Sequence, residues 1–197
     1  MSLRSARPVV LLDRDGTINV EQNYLSDPDQ LVLIDGVGAA LRRLRALGFG
    51  LVVVTNQSGV ARGYFDLATV TRIHDRLTAL LAAEGVTLDG IYVCPHSPDD
   101  DCPCRKPRPG MVERAAADLG FDPRQAFLVG DSAVDITLGR TVGATPVLVR
   151  TGWGRRTERE AACHPAVIVD DLPAAVAWIE RTIGATAGVT DKEGRPS

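Results

Sequence analysis

The chain has 197 residues, of which 45% are hydrophobic and 24% are charged. These values are typical of one globular domain of ordinary size and exclude disorder over the whole length. There are 22 basic and 25 acidic side chains, which gives a net charge of -3 at pH 7. Without an excess of positive charge, the chain is not expected to bind nucleic acid or an anionic membrane through a broad electrostatic field.

The N-terminal region predicts a protein of the cytoplasm. Its first apolar run, residues 9–12, is interrupted by Asp13, so it fits neither a signal peptide nor a membrane span. The chain has four cysteines, and without a secretory signal these are more typical of metal ligands or buried thiols than of disulfides. Nothing in the sequence resembles a dimer interface, so we expect a monomer.

Short apolar, β-branched runs alternate with helical patterns, which predicts an α/β fold around a mainly parallel sheet. The runs are continuous, as expected for strands buried on both faces. The predicted strands are residues 9–12, 51–54, 91–93, 126–129, 146–149 and 166–169. The predicted helices are residues 37–47, 66–81, 111–119, 134–142 and 172–183. We expect an N-terminal extension over 1–7, one domain over 8–183 and a flexible tail over 184–197.

Polar residues follow several of these strands at the point where each strand ends. Asp13 and Asp15 follow the first strand, Thr55 the second and Asp131 the fourth, while the loop after the third ends near Lys106. The carboxyl ends of parallel strands share one edge of a sheet, where ligands bind in open α/β folds. Carboxylates gathered there would repel one another without a cation, and oxygen ligands favour Mg²⁺.

These residue types fit phosphoryl chemistry. A carboxylate such as Asp13 can attack phosphorus to give an aspartyl-phosphate, which divides one difficult displacement into two easier ones. The reaction also needs a proton donor and groups that hold the phosphoryl oxygens, and Asp15, Thr55 and Lys106 are of those types. A single Asp-x-Asp is common in turns and helix caps. Its recurrence with partners after successive strands favours a catalytic site.

Four segments resemble the motifs of the haloacid dehalogenase (HAD) superfamily of phosphatases: Asp13-x-Asp15-Gly-Thr, Thr55, Lys106 and Gly130-Asp131-x3-Asp135. The resemblance implies a Rossmann-like fold with Asp13 as nucleophile, Asp15 as general acid and base, and Thr55 and Lys106 against the phosphoryl group. It also implies Mg²⁺ bound by Asp13, by the backbone carbonyl of Asp15 and by Asp131. No domain-sized insertion follows Asp15 or Thr55, so we expect no large cap domain.

A cysteine-rich loop over residues 94–104 predicts a second metal site. Three sulfurs and one imidazole lie close together in it, a set that can close tetrahedrally on zinc: Cys94, His96, Cys102 and Cys104. The alternative is a redox pair of cysteines. The histidine and the flanking prolines suit a fixed metal site better than a disulfide switch, so zinc is the favoured interpretation. Four protein ligands leave no open position for water, so we expect a structural zinc that fixes the chain before Arg105 and Lys106.

With this loop included, the chain resembles the D-glycero-D-manno-heptose-1,7-bisphosphate 7-phosphatases and, less closely, the related histidinol-phosphate phosphatases. The matching stretches are residues 13–19, 53–59, 61–63, 89–92, 104–107 and 147–152. The resemblance implies Mg²⁺-dependent removal of the 7-phosphate of a phosphosugar, in the biosynthesis of nucleotide-activated heptose. By position, the implied substrate contacts are Glu21, Gln22, Asn23, Tyr24, Thr55, Asn56, Gln57, Ser58, Arg105, Lys106 and Ser132. Some family members carry Lys where this chain has Ser132, so the preferred anomer stays open.

Three other functions remain open at this point. Histidinol phosphate is the alternative substrate of the same class. A non-catalytic phosphosugar-binding module would be expected to lack one of Asp13, Asp15, Lys106 or Asp131, and all four are present. A phosphatase of nucleic-acid ends would call for a basic groove with interleaved aromatics, whereas aromatic residues are 5% of the chain.

Several further residues allow more than one interpretation. His74 fits packing or a wet helix edge, and Trp153 fits packing. Arg62 is either a solvated charge or a contact to the distal phosphate of a bisphosphate. Asp135 either approaches the metal through water or orients its loop. We interpret Cys163 as a surface or packing residue outside the zinc site.

Overall fold

The computed structural model describes residues 7–160 and 164–190. Its centre is a six-stranded sheet in which every pair of neighbouring strands is parallel. The strands are β1 (Val9–Leu12), β2 (Gly50–Asn56), β3 (Gly90–Cys94), β4 (Phe127–Gly130), β5 (Thr145–Val149) and β6 (Val167–Val169). The predicted α/β class and all six predicted strands are confirmed.

The order of the strands places a crevice beside β1. The sheet runs β3-β2-β1-β4-β5-β6. The chain adds β2 and β3 on one side of β1 and then crosses back to add β4, β5 and β6 on the other side, so the strand order reverses between the neighbouring strands β1 and β4. In β1, Leu12 pairs with Val53 of β2 on one side and with Val129 of β4 on the other. In open parallel sheets, ligands bind outside the carboxyl ends of the strands at such a switch point.

Helices cover both faces of the sheet. They are α1 (Val37–Ala46), α2 (Leu67–Ala83), α3 (Gly110–Leu119), α4 (Ala133–Thr141), the single turn α5 (Gly154–Thr157) and α6 (Leu172–Thr190). Val10 and Leu12 pack in the core that contains α1, α2 and α6, whereas Val9 and Leu11 pack in the core that contains α3 and α4. Burial on both faces explains why the strands are continuously apolar.

Side-chain caps fix where two of these helices begin. The carboxylate of Asp66 accepts a hydrogen bond of 2.8 Å from the backbone N–H of Thr69 at the start of α2. Ser132 and Asp135 form a capping box at the start of α4. Such caps satisfy backbone donors that have no partner within the helix. The second cap positions both residues directly after β4.

The last helix is longer than predicted. The sequence predicts an end near residue 183 and a tail from 184, but α6 continues to Thr190. Ala175, Val176 and Ile179 pack in the core, and a helix anchored in this way gains one hydrogen bond for each residue added. The remainder of the predicted tail, residues 191–197, lies outside the described residues, as do residues 1–6 and Cys163.

Short loops connect the strands to the helices around the crevice. The described segments 13–36, 57–66 and 95–109 contain no inserted domain, which confirms the prediction that a large cap is absent from this part of the chain. Small loops must therefore form the walls of any site at the crevice. Among the described residues, no helix is long and apolar enough to cross a membrane.

Candidate active site

A cavity of about 280 Å³ opens at the carboxyl ends of β1, β2 and β4. Most of the predicted site residues line it: Asp13, Asp15, Glu21, Asn23, Tyr24, Thr55, Asn56, Gln57, Ser58, Arg105, Lys106, Asp131 and Ser132. Gln22 does not, because its side-chain amide donates a 2.7 Å hydrogen bond to the backbone carbonyl of Gln30. A contact between Gln22 and substrate therefore stays a prediction. Arg62 is exposed and is not part of the cavity wall.

A buried lysine joins two of the acidic residues at the base of the cavity. The Nζ atom of Lys106 lies 2.6 Å from Oδ1 of Asp13 and 2.7 Å from Oδ1 of Asp135. It also donates a 2.9 Å hydrogen bond to the carbonyl of Val54. Burial by itself lowers the pKa of a lysine, but the two carboxylates raise the pKa of Lys106 above its usual value. Lys106 is therefore a fixed ammonium beside Asp13.

Three carboxylates lie together at the base of the cavity and form a candidate metal site. One oxygen from each of Asp13, Asp131 and Asp135 lies within 4.8 Å of the others. Burial, together with the neighbouring carboxylates, raises the pKa of Asp13 to about 7 and that of Asp131 to about 8. One lysine does not balance three buried acids. A hard divalent cation with oxygen ligands such as Mg²⁺ fits this donor set.

Close backbone packing positions Asp131. Its Oδ2 accepts a 2.7 Å hydrogen bond from the backbone N–H of Trp153. Gly16 and Gly152 lie against the same carboxylate, and a Cβ atom on either residue would collide with it. Both glycines have positive φ angles, 78° and 53°, which also favour glycine. The loop after β1 and the loop after β5 can therefore close on Asp131 only with glycine at these two positions.

Asp15 is held by three side chains. Arg14 donates to both carboxylate oxygens of Asp15, with its shortest contact at 2.7 Å. Asn19 donates a hydrogen bond to Oδ1 and Gln57 donates one to Oδ2, and both bonds are 2.9 Å long. Burial works to raise the pKa of Asp15, but Arg14 and the other two donors hold it below its usual value. The three donors therefore fix the orientation of the Asp15 side chain.

Arg14 and His74 are functional candidates that the sequence analysis missed. Arg14 is only 1% exposed although it lies between two aspartates in a loop. Its Nη1 atom lies 3.0 Å from Nε2 of His74 on α2. Burial, followed by the charge of Arg14, lowers the pKa of His74 to about 4. Arginine can only donate, and a neutral imidazole can accept, so Nε2 of His74 accepts the hydrogen bond from Arg14.

The residues after β2 connect the acidic residues to the loop that carries Lys106. Gln57 donates 2.9 Å hydrogen bonds to Asp15 and to the hydroxyl of Thr55. The side-chain oxygen of Asn56 accepts from the backbone N–H of Lys106 at 3.1 Å, and its amide donates to the Lys106 carbonyl at 3.3 Å. These contacts fix the relative positions of the segments that provide Thr55, Asp15 and Lys106.

The cysteine-rich loop folds into a compact cluster of donors. The three pairs of sulfur atoms are separated by 3.2 to 3.7 Å, and Nδ1 of His96 lies 3.3 Å from Cys104 Sγ and 3.6 Å from Cys94 Sγ. Bonds of about 2.3 Å to a tetrahedral zinc imply sulfur separations of about 3.8 Å. All three cysteines are free. The four predicted ligands therefore fit one tetrahedral zinc.

Hydrogen bonds join this cluster to the cavity. The carbonyl of Cys94 accepts a 2.7 Å bond from the backbone N–H of Gln57. The carbonyl of His96 accepts a 3.1 Å bond from Arg105, whose side chain lines the cavity. The cluster is thus in direct contact with residues on two sides of the site. Its geometry can influence the position of Arg105 without any contact between zinc and substrate.

The cavity wall also contains residues that the sequence analysis did not assign to the site. Trp153 was expected to pack, but it is 49% exposed and lines the cavity together with Val134. Leu25 and Gly59 complete the wall near the loops after β1 and β2. These residues lack charge and follow no helical or strand period. Only the folded loops show that they are near the acidic residues.

Comparison with known proteins identifies the class of enzyme to which this site belongs. Residues 103–175, which include Lys106 and Asp131, match a family model described as HAD-hydrolase-like. The chain is a phosphomonoester hydrolase of the HAD superfamily.

Curated relatives define the family more narrowly. The chain is 43% identical over 170 residues to D-glycero-beta-D-manno-heptose-1,7-bisphosphate 7-phosphatase of Pseudomonas aeruginosa, an alignment that covers 86% of this chain and 96% of the relative. It is 44% identical over 179 residues to the enzyme of the same name from Yersinia pestis, covering 86% and 95% of the two chains. This chain belongs to the D-glycero-beta-D-manno-heptose-1,7-bisphosphate 7-phosphatase family.

Solved structures support the same assignment. The D,D-heptose 1,7-bisphosphate phosphatase of B. bronchiseptica, crystallised with magnesium and phosphate, superposes with a TM-score of 0.83 at 38% identity and covers 89% of this chain and 99% of its own. The corresponding protein of Burkholderia thailandensis superposes with a TM-score of 0.68 at 34% identity, covering 88% and 98%.

Proposed function

We propose that the chain hydrolyses the 7-phosphate of D-glycero-β-D-manno-heptose 1,7-bisphosphate and leaves the 1-phosphate in place. The observation that carries this proposal is the position of Asp13, whose carboxylate faces a polar cavity with Lys106 on one side and Asp15 nearby. The relatives at 43% and 44% identity bear the name of this reaction and of the β anomer. The product would serve the biosynthesis of nucleotide-activated heptose.

In the first half of the reaction, an oxygen of Asp13 attacks phosphorus and the bond from phosphorus to the sugar oxygen breaks. Asp15 in its acid form gives its proton to the departing sugar oxygen. In the second half, Asp15 as carboxylate takes a proton from a water molecule. The oxygen of that water attacks phosphorus, and the bond from phosphorus to Asp13 breaks to release inorganic phosphate.

The phosphoryl group is held during transfer by Thr55 and Lys106. Lys106 places a fixed positive charge beside Asp13, where negative charge accumulates as phosphorus is transferred. The hydroxyl of Thr55 lies at the end of β2 and lines the same cavity. Ser58, Arg105 and Ser132 line the same cavity, and we propose that they contact the sugar and its remaining phosphate.

The acidic cluster supports Mg²⁺ as cofactor. Asp13, the backbone carbonyl of Asp15 and Asp131 would hold the ion, with Asp135 close enough to assist. When bound, Mg²⁺ neutralises negative charge on the phosphoryl oxygens. The B. bronchiseptica structure with magnesium and phosphate supports the same cofactor.

Zinc is proposed as a second, structural metal. Cys94, His96, Cys102 and Cys104 supply four protein ligands, which leaves no position for a reacting water.

Free thiols in such a cluster are typical of a reducing compartment, and we place the enzyme in the cytoplasm as a monomer. Residues 8–183 are proposed as the phosphatase domain.

A comparison of two purified substrates tests the proposed function. The expected result is a kcat/KM for the heptose bisphosphate at least about a hundredfold above that for histidinol phosphate, because the cavity must bind two phosphates rather than one. A preference for histidinol phosphate would assign the chain to the other substrate of its class. Binding of the heptose bisphosphate without phosphate release would identify a non-catalytic module.

A further inference from the structure

We infer that His74 is a positioning residue for the hydrolytic half of the reaction and that it acts on Asp15 through Arg14. This inference rests on the proposed function, because it concerns the roles given there to Asp13 and Asp15. It extends that function to a side chain on α2 that does not line the cavity.

The first observation is a continuous set of contacts from α2 to the acid-base residue. Nε2 of His74 accepts from Nη1 of Arg14 at 3.0 Å, while Nη2 of Arg14 donates to both oxygens of Asp15 at 2.9 and 2.7 Å. The Nε atom of Arg14 adds a third contact to Asp15 at 3.1 Å. Every link joins a donor to an acceptor, so the orientation of each group constrains the next.

The second observation is the burial of Arg14. A guanidinium that is 1% exposed cannot satisfy its donors with bulk water, so each N–H needs an acceptor within the protein. Asp15 supplies acceptors on one side of the guanidinium, and His74 supplies an acceptor for Nη1. Without His74, Nη1 would lose this acceptor, and the guanidinium would be less constrained in its contacts with Asp15.

The third observation is the way in which both oxygens of Asp15 are held. Arg14 contacts both of them, with a shortest distance of 2.7 Å, so their positions depend on the orientation of the guanidinium. His74 is half-buried on the side of α2 that faces this loop, where it contacts Arg14. It thus helps to hold the Asp15 oxygen that, in the proposed mechanism, takes a proton from the attacking water.

The contribution of His74 can be separated from general structural support by studying p-nitrophenyl phosphate. Its leaving group departs without a proton, so kcat/KM for this substrate reports formation of the aspartyl-phosphate without general acid catalysis. The decay of phosphorylated Asp13 after substrate is exhausted reports the hydrolytic half alone. Rapid chemical quench measures both steps in the same protein.

Two variants of similar size form a matched pair at position 74. His74→Leu removes the acceptor, and we expect it to slow decay of the aspartyl-phosphate about tenfold while kcat/KM for p-nitrophenyl phosphate stays within about threefold of wild type. His74→Gln keeps an acceptor oxygen, and both parameters should stay within about threefold of wild type. Thr78→Ala, at an exposed position one turn later on α2, is the control that should change neither.

Three outcomes would overturn the inference: unchanged decay in His74→Leu, an equal loss in both steps, or a loss in His74→Gln as large as in His74→Leu. Thermal melting checks that the variants fold, and His74→Ala replaces His74→Leu if the latter does not. If wild-type protein forms no aspartyl-phosphate and releases no p-nitrophenol, the proposed function has failed instead. The two failures are therefore distinguishable.

Discussion

The ammonium of Lys106 lies between the carboxylates of Asp13 and Asp135, 2.6 Å from the first and 2.7 Å from the second. Asp13 belongs to the loop after β1, Asp135 to α4, and Lys106 to the loop that follows the cysteine cluster. One buried cation therefore connects the proposed nucleophile, the proposed metal site and the zinc loop. The first prediction follows from this arrangement.

Lys106→Met should abolish turnover and also destabilise the fold. The substitution leaves Asp13 and Asp135 buried without their counter-charge, and breaking a buried ion pair in this way costs about 3 kcal/mol. Addition of Mg²⁺ should recover part of the lost stability, because the cation replaces some of the missing positive charge. Urea denaturation of both proteins with and without Mg²⁺ measures the effect. A variant as stable as wild type in metal-free buffer would contradict the proposed role of the ammonium.

Asp13→Asn should abolish turnover while the fold stays intact. An amide has nearly the same volume as a carboxylate but cannot attack phosphorus. Mass spectrometry of the intact protein should detect a phosphoryl adduct on wild-type Asp13 in the presence of substrate and none on the variant. Asp15→Asn is the paired control, since it should be severely impaired in turnover while the nucleophile remains. Activity of Asp13→Asn within about tenfold of wild type would rule out the covalent mechanism.

Mg²⁺ should stabilise the protein more at high pH than at low pH. Asp13 and Asp131 have pKa values raised to about 7 and about 8 in the folded protein. A carboxyl group whose pKa is higher in the folded state contributes stability at low pH, and that contribution is lost as the pH rises through the folded-state pKa. The metal-free protein should therefore lose stability from about pH 5 to about pH 8, and Mg²⁺ should oppose this loss.

Thermal melting in Mg²⁺-free and Mg²⁺-containing buffers across this range measures the effect. Asp131→Asn should flatten the dependence, because one of the two groups that titrate is removed. An effect of Mg²⁺ that is equal at both ends of the range would show that the ion does not bind these carboxylates. Removal of Mg²⁺ should also stop turnover, and its addition should restore it.

Much of the fold could be predicted from the sequence because its strands are buried on both faces. The runs at 9–12 and 126–129 contain only apolar residues up to the point where a strand ends and an aspartate follows. Parallel packing then requires Asp13 and Asp131 to meet at one edge. The cysteine cluster was equally predictable, since all four ligands come from one short loop and need little knowledge of the tertiary fold.

Contacts between distant segments could not be predicted in this way. Arg14 has the charge and position of a solvated loop residue, but it is buried and contacts His74, sixty positions away in the chain. The ion pair of Lys106 with Asp135 depends on the start of α4, whereas the sequence left Asp135 with two possible roles. Gln22 belongs to a predicted substrate segment, but its side-chain amide donates a hydrogen bond to the backbone carbonyl of Gln30. These outcomes depend on loop conformations rather than on periodicity.

Loss of zinc should weaken catalysis without removing Mg²⁺ from its site. Cys102→Ser replaces a thiolate by a much poorer zinc ligand. Arg105 would then lose the anchor that the His96 carbonyl provides, so both KM and kcat should be impaired. Elemental analysis should find about one zinc per chain in wild type and none in the variant. Wild-type protein that is fully active without zinc would show that the cluster does not support the site.

The proposed reaction is tested most directly by following both phosphates of the substrate with phosphorus nuclear magnetic resonance. Purified protein with Mg²⁺ and D-glycero-β-D-manno-heptose 1,7-bisphosphate should convert the signal of the 7-phosphate into inorganic phosphate while the signal of the 1-phosphate persists. Asp13→Asn should leave both signals unchanged over the same period. Release of the 1-phosphate, or persistence of both phosphates with wild-type protein, would contradict the proposed function.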